Sequence, residues 1–202
     1  MNFRIFICVL LFNVSFLTSC AQKEGRINGV SFVASRDTLV QSHINPILSL
    51  NSNYAAIMPF GFIKNLEHPE IIYNTNRQWF GETNSGAKQY INKLQENNVK
   101  IMLKPQIWIW RGEFTGNLKM NSEEDWKSLE ESYRAFILGF ATLAMETQVD
   151  IFCLGTELEQ FIIHRPEFWI QLISEVKDIY KGKLTYAANW DEPTLLLRPH
   201  PV

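Results

Sequence analysis

Cysteine is scarce. The sequence holds three, Cys8, Cys20 and Cys153. The first falls in an N-terminal segment that reads as a targeting signal and the second reads as a lipidation site at its end, so the mature chain has no cysteine pair for an internal disulfide. Excess charge of one sign is missing as well. The 19 basic and 21 acidic side chains leave a net charge of -2, which supplies no polycationic surface and speaks against nucleic acid as a partner. No run of ~20 apolar residues, the length that spans a bilayer, is present. The stretch from Ile5 to Leu17 is shorter and is interrupted by Asn13 and Ser15. There is no G-x-x-x-x-G-K-[ST] phosphate loop, and the turn Ala34-Ser35-Arg36-Asp37 after the first β-like run lacks the glycines of a dinucleotide-binding turn. His43, His68, His164 and His200 show no metal-ligand spacing with one another or with Cys153. Neither a metal nor any other cofactor is therefore expected. The remaining composition, 46% hydrophobic and 20% charged, is that of a globular chain with one sizeable core.

Residues 1–19 have the form of a secretory signal, with Arg4 as the sole charge, an apolar stretch and small residues at its end. The tetrad Leu17-Thr18-Ser19-Cys20 resembles the lipobox of bacterial lipoproteins. In that family the cysteine is lipidated and becomes the first residue of the mature chain. The resemblance implies a lipid on Cys20, a polar tether over 20–26, and attachment to the bacterial cell envelope at the outer membrane or cell surface. No Asp follows Cys20, so the inner-membrane retention signal of that kind is missing. Loss of Arg4 leaves a mature charge of 18 − 21 = -3.

From residue 27 onward, strand-like and helix-like patterns alternate. Short β-branched or continuously apolar runs at 27–34, 54–60, 99–109, 149–154 and 183–190 read as strands, the first of them as a buried strand. Pro105 is expected to mark the end of regular pairing in the third. Helical periodicity fills 38–49, 86–97, 122–147 and 166–181. In the clearest of these, Ser122 is placed to cap, Glu123, Glu124 and Asp125 suit the positive helix end, and Trp126, Leu129, Tyr133, Ile137, Phe140 and Ala144 form the apolar face. Pro166 suits the first turn of the last helix. Apolar strands each followed by a helix predict an α/β fold, a parallel sheet with helices outside. An open doubly wound sheet and a (β/α)8 TIM-type barrel both satisfy that pattern.

The chemistry-bearing residues cluster at strand ends, where barrels place their active sites. They read Ser35-Arg36-Asp37, Phe60-Gly61-Phe62, Lys104-Pro105-Gln106-Ile107-Trp108-Ile109-Trp110, Gly155-Thr156-Glu157-Leu158-Glu159 and Asn189-Trp190-Asp191-Glu192, with Trp79, Gly81 and Glu82 between the second and third. Indoles, amides and carboxylates on one face make the composition of a carbohydrate cleft. Rings stack on the C–H faces of sugars, and amides and acids bind hydroxyls. Trp126 and Trp169, by contrast, belong to helix faces and read as core. Glu157, directly after an apolar strand and a glycine, is the candidate proton donor. The strand-end acids Asp37, Glu82, Glu113, Asp191 and Glu192 are the available partners for it, and none declares itself a nucleophile.

The succession NGVSFVA, the W-x-G-E of Trp79 to Glu82, LKPQIWIW with Gly112 behind it, GTELE and ANWDE resembles glycoside hydrolase family 113. This is a clan A (β/α)8 family that includes endo-β-mannanases. The resemblance implies retaining hydrolysis of a β-linked polysaccharide such as β-mannan, with the general acid/base mapping onto Glu157. It also implies that Trp79, Glu82, Lys104, Gln106, Trp108, Trp110, Asn189 and Trp190 belong to the substrate cleft. On this reading 27–192 forms about the first five βα units of the barrel and 193–202 an irregular tail. The family's nucleophile, a glutamate at the seventh strand end, has no counterpart among five strands, so impaired turnover is expected. Glycan binding without catalysis, or an inactive remnant, are the alternatives.

Overall fold

The computed structural model describes residues 25–190. The signal segment, the lipobox cysteine Cys20, the acidic pair Asp191 and Glu192 and the 193–202 tail lie outside the described residues. Within them, parallel strands run as β1 (Gly29–Phe32), β2 (Tyr54–Ile57), β3 (Phe60–Ile63), β4 (Lys100–Leu103), β5 (Gln106–Ile109), β6 (Ile151–Thr156) and β7 (Lys183–Ala187). The main sheet has the order β1-β2-β4-β6-β7, and β3 pairs with β5 alone. The helices are α1 (Gln41–Ser49), α2 (Asn84–Gln95), α3 (Glu123–Glu146), α4 (Glu159–His164) and α5 (Pro166–Ile179). This is the expected α/β pattern, with every strand pair parallel.

Two prolines cut the sheet into its two parts. Ile57 pairs with Leu103 and Phe60 with Gln106; 103 − 57 and 106 − 60 are both 46, so the register is unbroken and Pro59 stands opposite Pro105. Pairing was expected to end at Pro105, and instead it resumes one residue later. A proline removes only its own N–H. Lys104 N–H donates to the Ile57 carbonyl at 2.8 Å and Gln106 N–H to that of Pro59 at 2.9 Å, so the chain stays laced to β2 and β3. Toward β6 the ladder does stop, at Leu103↔Phe152.

Other expectations shift at the edges. The first strand, read as buried, alternates between exposed (Gly29, Ser31) and half-buried (Val30, Phe32) positions. Among the described residues its strand partner is β2 alone, so one edge and much of one face stay open. Pro46 is accommodated inside α1. Ser122 Oγ does cap α3, accepting from Asp125 N–H at 3.1 Å, and Pro166 does open α5. Helix α4 was not foreseen. Its six residues bury only Phe161 and Ile162, too short a span for periodicity to register.

The core lies between the sheet and its helices. Ala55, Ile57, Ile101, Leu103 and Phe152 are at most 1% exposed, and each large one contributes about 1.5–3 kcal/mol by leaving water. Their strand neighbours Tyr54, Ala56 and Met102 on the other face are only half-buried, so that face is available to a site. Two glycines on helices make opposite predictions about this packing. A Cβ on Gly86 would lie 1.8 Å from the Phe80 carbonyl oxygen, while one on Gly139 would meet nothing within 4 Å. Gly86→Ala is expected to destabilise by about 1–3 kcal/mol through forced backbone movement. Gly139→Ala is expected to stabilise by about 0.5–1 kcal/mol through helix propensity. Denaturant unfolding of both variants checks the pair, and a Gly86→Ala protein as stable as the wild type would refute the packing.

Candidate functional site

The C-terminal end of β6 is irregular. Cys153 pairs with Thr185 and Thr156 with Ala187; 185 − 153 is 32 and 187 − 156 is 31, so β6 carries one extra residue in a bulge. The next residue, Glu157, has φ 51°. Among the described residues, three of the six non-glycine residues with positive φ are asparagines, Asn51, Asn74 and Asn98, a type that tolerates the left-handed region. A glutamate there stores strain of order 1–3 kcal/mol, and such outliers concentrate at functional sites.

The strained turn is pinned from several sides. Glu157 N–H donates to the Ala187 carbonyl at 2.9 Å, and Leu158 N–H donates to the Tyr186 hydroxyl at 2.6 Å. Below the bulge, the buried Tyr133 hydroxyl donates to the Leu154 carbonyl at 2.7 Å. Burial, foremost, pushes the Tyr133 phenol well above its ordinary value, with Tyr186 and Cys153 adding to the shift; it therefore stays a neutral donor. Both tyrosine rings rest on Trp169, at 5.3 Å and 6.0 Å between centroids, and Trp169 is fully buried. Gly155 is required at their junction, since a Cβ there would lie 2.7 Å from the Tyr133 hydroxyl. Burial also raises the Cys153 thiol, against smaller opposing contributions that include Lys104. Its Sγ donates to the Gly155 carbonyl at 3.2 Å. Cys153 is a packed donor inside the bulge.

A groove of about 950 Å³ is floored by Phe60, Phe62, Trp108 and Trp110 and walled by the 64–82 segment, including Ile72, Gln78, Trp79 and Glu82. The wall is fixed by backbone pairing. Phe62 and Ile72 exchange two N–H···O bonds of 2.9 Å, the Gln78 amide donates to the Phe60 carbonyl at 2.9 Å, and Gly81 N–H donates to the Ser35 carbonyl at 2.9 Å. The Glu82 carboxylate accepts from Trp79 N–H at 3.0 Å. Partial burial raises its pKa and that hydrogen bond opposes the rise. Trp79, Trp108 and Trp110 remain 43%, 50% and 65% exposed. Indoles left open in a concave site are not core packing; they present flat apolar faces to solvent.

The groove brings together Trp79, Glu82, Trp108 and Trp110 from the sequence-derived set. Lys104 and Gln106 lie lower on the same strand run, half-buried, with Gln106 Nε2 donating to Met58 Sδ at 3.6 Å; neither lines the groove. Glu157 is half-buried at the end of β6 and also falls outside the lining. Asn189 accepts from Trp190 N–H at 3.0 Å, and Trp190, the last described residue, is 91% exposed, away from the groove. Trp126 and Trp169 are buried, as expected of core residues. Sequence reasoning missed Tyr133 and Tyr186 as supports of the Glu157 turn. It noted Phe60-Gly61-Phe62 at a strand end without assigning the two rings to the site.

Comparison with known proteins places this geometry in context. Residues 35–194 match the model of Glycoside Hydrolase Family 113. A solved GH113 beta-mannanase from Alicyclobacillus acidocaldarius, in complex with ManMIm, superposes with a TM-score of 0.73 at 22% identity, over 83% of this chain and 56% of that one. A GH113 beta-1,4-mannanase gives 0.67 at 20% identity, over 80% and 55%. A complex of a GH113 beta-1,4-mannanase gives 0.70 at 19% identity, over 82% and 56%. At these identities the likeness is one of fold, and the chain spans a little over half the length of each structure. Comparison with curated proteins gives no match.

If Glu157 is held in strain by its surroundings, removing its side chain should release free energy. Glu157→Gly is expected to raise stability by about 1 kcal/mol, because glycine adopts positive φ without penalty. Thermal or urea unfolding measures this, and a variant no more stable than the wild type would show that no strain is stored there.

Proposed function

The chain belongs to glycoside hydrolase family 113, and from that membership we propose that it acts on a β-linked, mannan-type polysaccharide with Glu157 as the general acid/base. The observation that supports the proposal is Glu157 at a strand terminus, in a pinned left-handed turn, on a chain that also carries an indole-lined groove. Trp79, Trp108 and Trp110 offer stacking faces to pyranose rings. Glu82, with Gln106 and Lys104 deeper on the face and Asn189 and Trp190 at the β7 end, is assigned to hydroxyl recognition and the rim. In retention the acid protonates the departing glycosidic oxygen and then, as a base, deprotonates water. Glu157 is assigned both roles; the partner carboxylate that retention requires is no part of this assignment.

A second reading, glycan binding without turnover, draws on one observation, that the groove lining does not include Glu157. One set of measurements separates the two. Calorimetry on the full chain should detect manno-oligosaccharides at millimolar concentration or below, and Trp108→Ala should weaken that binding at least about tenfold, the loss of one stacked ring. Product release from the same ligands should fall by about 10²–10⁴ in Glu157→Gln while binding persists. Binding with no turnover in the wild type favours the second reading, and no binding at millimolar ligand rejects both.

We further propose that a lipid on Cys20 tethers the chain to the bacterial envelope, at the outer membrane or cell surface. The lipobox-like Leu17-Thr18-Ser19-Cys20 supports this. Among the described residues no helix is long and apolar enough to cross a membrane. Labelling of cells with a radioactive fatty acid should mark the full chain and not Cys20→Ser. Equal labelling of both would sink the assignment.

A further inference from the structure

The groove carries charge that a neutral sugar does not require. Lys64 directly follows β3, Arg77 sits in the wall segment, and both line the groove. Among the described residues neither enters an ion pair, whereas Lys88, Lys93, Arg134 and Arg165 each hold a glutamate. His68, also in the lining, faces Glu70 at 3.9 Å. The single lining carboxylate, Glu82, is engaged by Trp79 N–H. A chain of net charge -2 thus presents two cations outside any ion pair among the described residues, with one carboxylate, along an aromatic-lined groove.

We propose that this groove takes a glycan carrying an anionic group, with Lys64 and Arg77 meeting the anion while the indoles stack on the sugar rings. A uronosyl carboxylate suits Arg77 best, because the planar guanidinium matches a carboxylate with two parallel hydrogen bonds. A sulfate ester shares the charge without the planar fork. The inference rests on the reading above that the groove binds glycan, and it deepens that reading by naming a substituent on the sugar.

The test titrates the full chain, by calorimetry and tryptophan fluorescence, with three oligosaccharides of equal length: a neutral manno-oligosaccharide, one bearing a uronosyl residue and one bearing a sulfate ester. At about 0.01 M salt, where the Debye length is about 30 Å, the anionic ligands should bind about tenfold tighter than the neutral one. At about 1 M salt, where it is about 3 Å, the preference should vanish. In the Lys64→Gln/Arg77→Gln double variant the ratio should fall to about one at either salt. A gain confined to the uronosyl ligand assigns the preference to the arginine fork, and an equal gain for the sulfated ligand assigns it to charge; both support the proposal. Equal affinity of neutral and anionic ligands at low salt overturns it while leaving glycan binding intact. A preference that survives the double variant also overturns it. Failure of all three ligands to bind overturns it together with the reading it rests on.

Discussion

Leu158 N–H and the Leu154 carbonyl are satisfied by the phenolic hydroxyls of Tyr186 and Tyr133, and the top of β6 depends on that pair. The bulge between Cys153 and Thr156 puts β6 out of step with β7, so the ladder alone no longer supplies partners through this stretch. A buried backbone group left unpaired costs about 1–3 kcal/mol. The two hydroxyls remove that cost, and they can do so because their rings stand on Trp169 within a stack that also includes Phe161 and Phe168. The strain at Glu157 is thereby underwritten by the aromatic core beneath it. Packing among α3, α4, α5 and β6 reaches the candidate site through two O–H groups.

The second constraint is the facing pair Pro59 and Pro105. Each removes one N–H from a ladder that otherwise keeps register, and beyond them β5 no longer extends the pairing of β4 with β6. The upper halves of the two strands form a separate ribbon, and Ile72 takes the vacant edge of β3 in an antiparallel bridge. Phe60, Phe62 and Trp108 on that ribbon then face a groove instead of a closed sheet. Prolines in strand interiors are unusual for the donor they remove; at this point the loss shapes the floor of the groove.

Much of this was legible in one dimension. Five strand runs, the capped α3 and the burial of Trp126 and Trp169 follow from local composition and periodicity, because each depends on residues a turn or two apart. The tyrosine clamps do not. Tyr186 is 28 residues from Leu158 and Tyr133 is 21 from Leu154, and nothing in a phenol's sequence neighbourhood says which backbone group it will reach. The same limit explains the groove. Trp79, Glu82, Trp108 and Trp110 stood out as strand-end or loop residues of the right chemistry, but Lys64, Arg77 and Gln78 look like ordinary polar loop residues until Gln78 ties its loop to Phe60. The splitting of the strands was half visible: Pro105 announced an interruption, and only the register shows that Pro59 answers it.

Glu82 shows how the groove balances its charges. Its carboxyl is raised above the usual 4.5, with burial as the larger cause and the Trp79 hydrogen bond opposing it. A carboxyl raised on folding contributes stability that is full below its unfolded pKa and is lost as pH rises through the folded one. The ionised form is thus tolerated at neutral pH at some cost to the fold. Burial and the Trp79 hydrogen bond are the causes of that shift. Acid and bases thus line one groove, and among the described residues no ion pair joins Glu82 to Lys64 or Arg77. A ligand anion placed between Lys64 and Arg77 would find both available, and a ligand hydroxyl at Glu82 would find an acceptor whose desolvation has already been incurred by the fold.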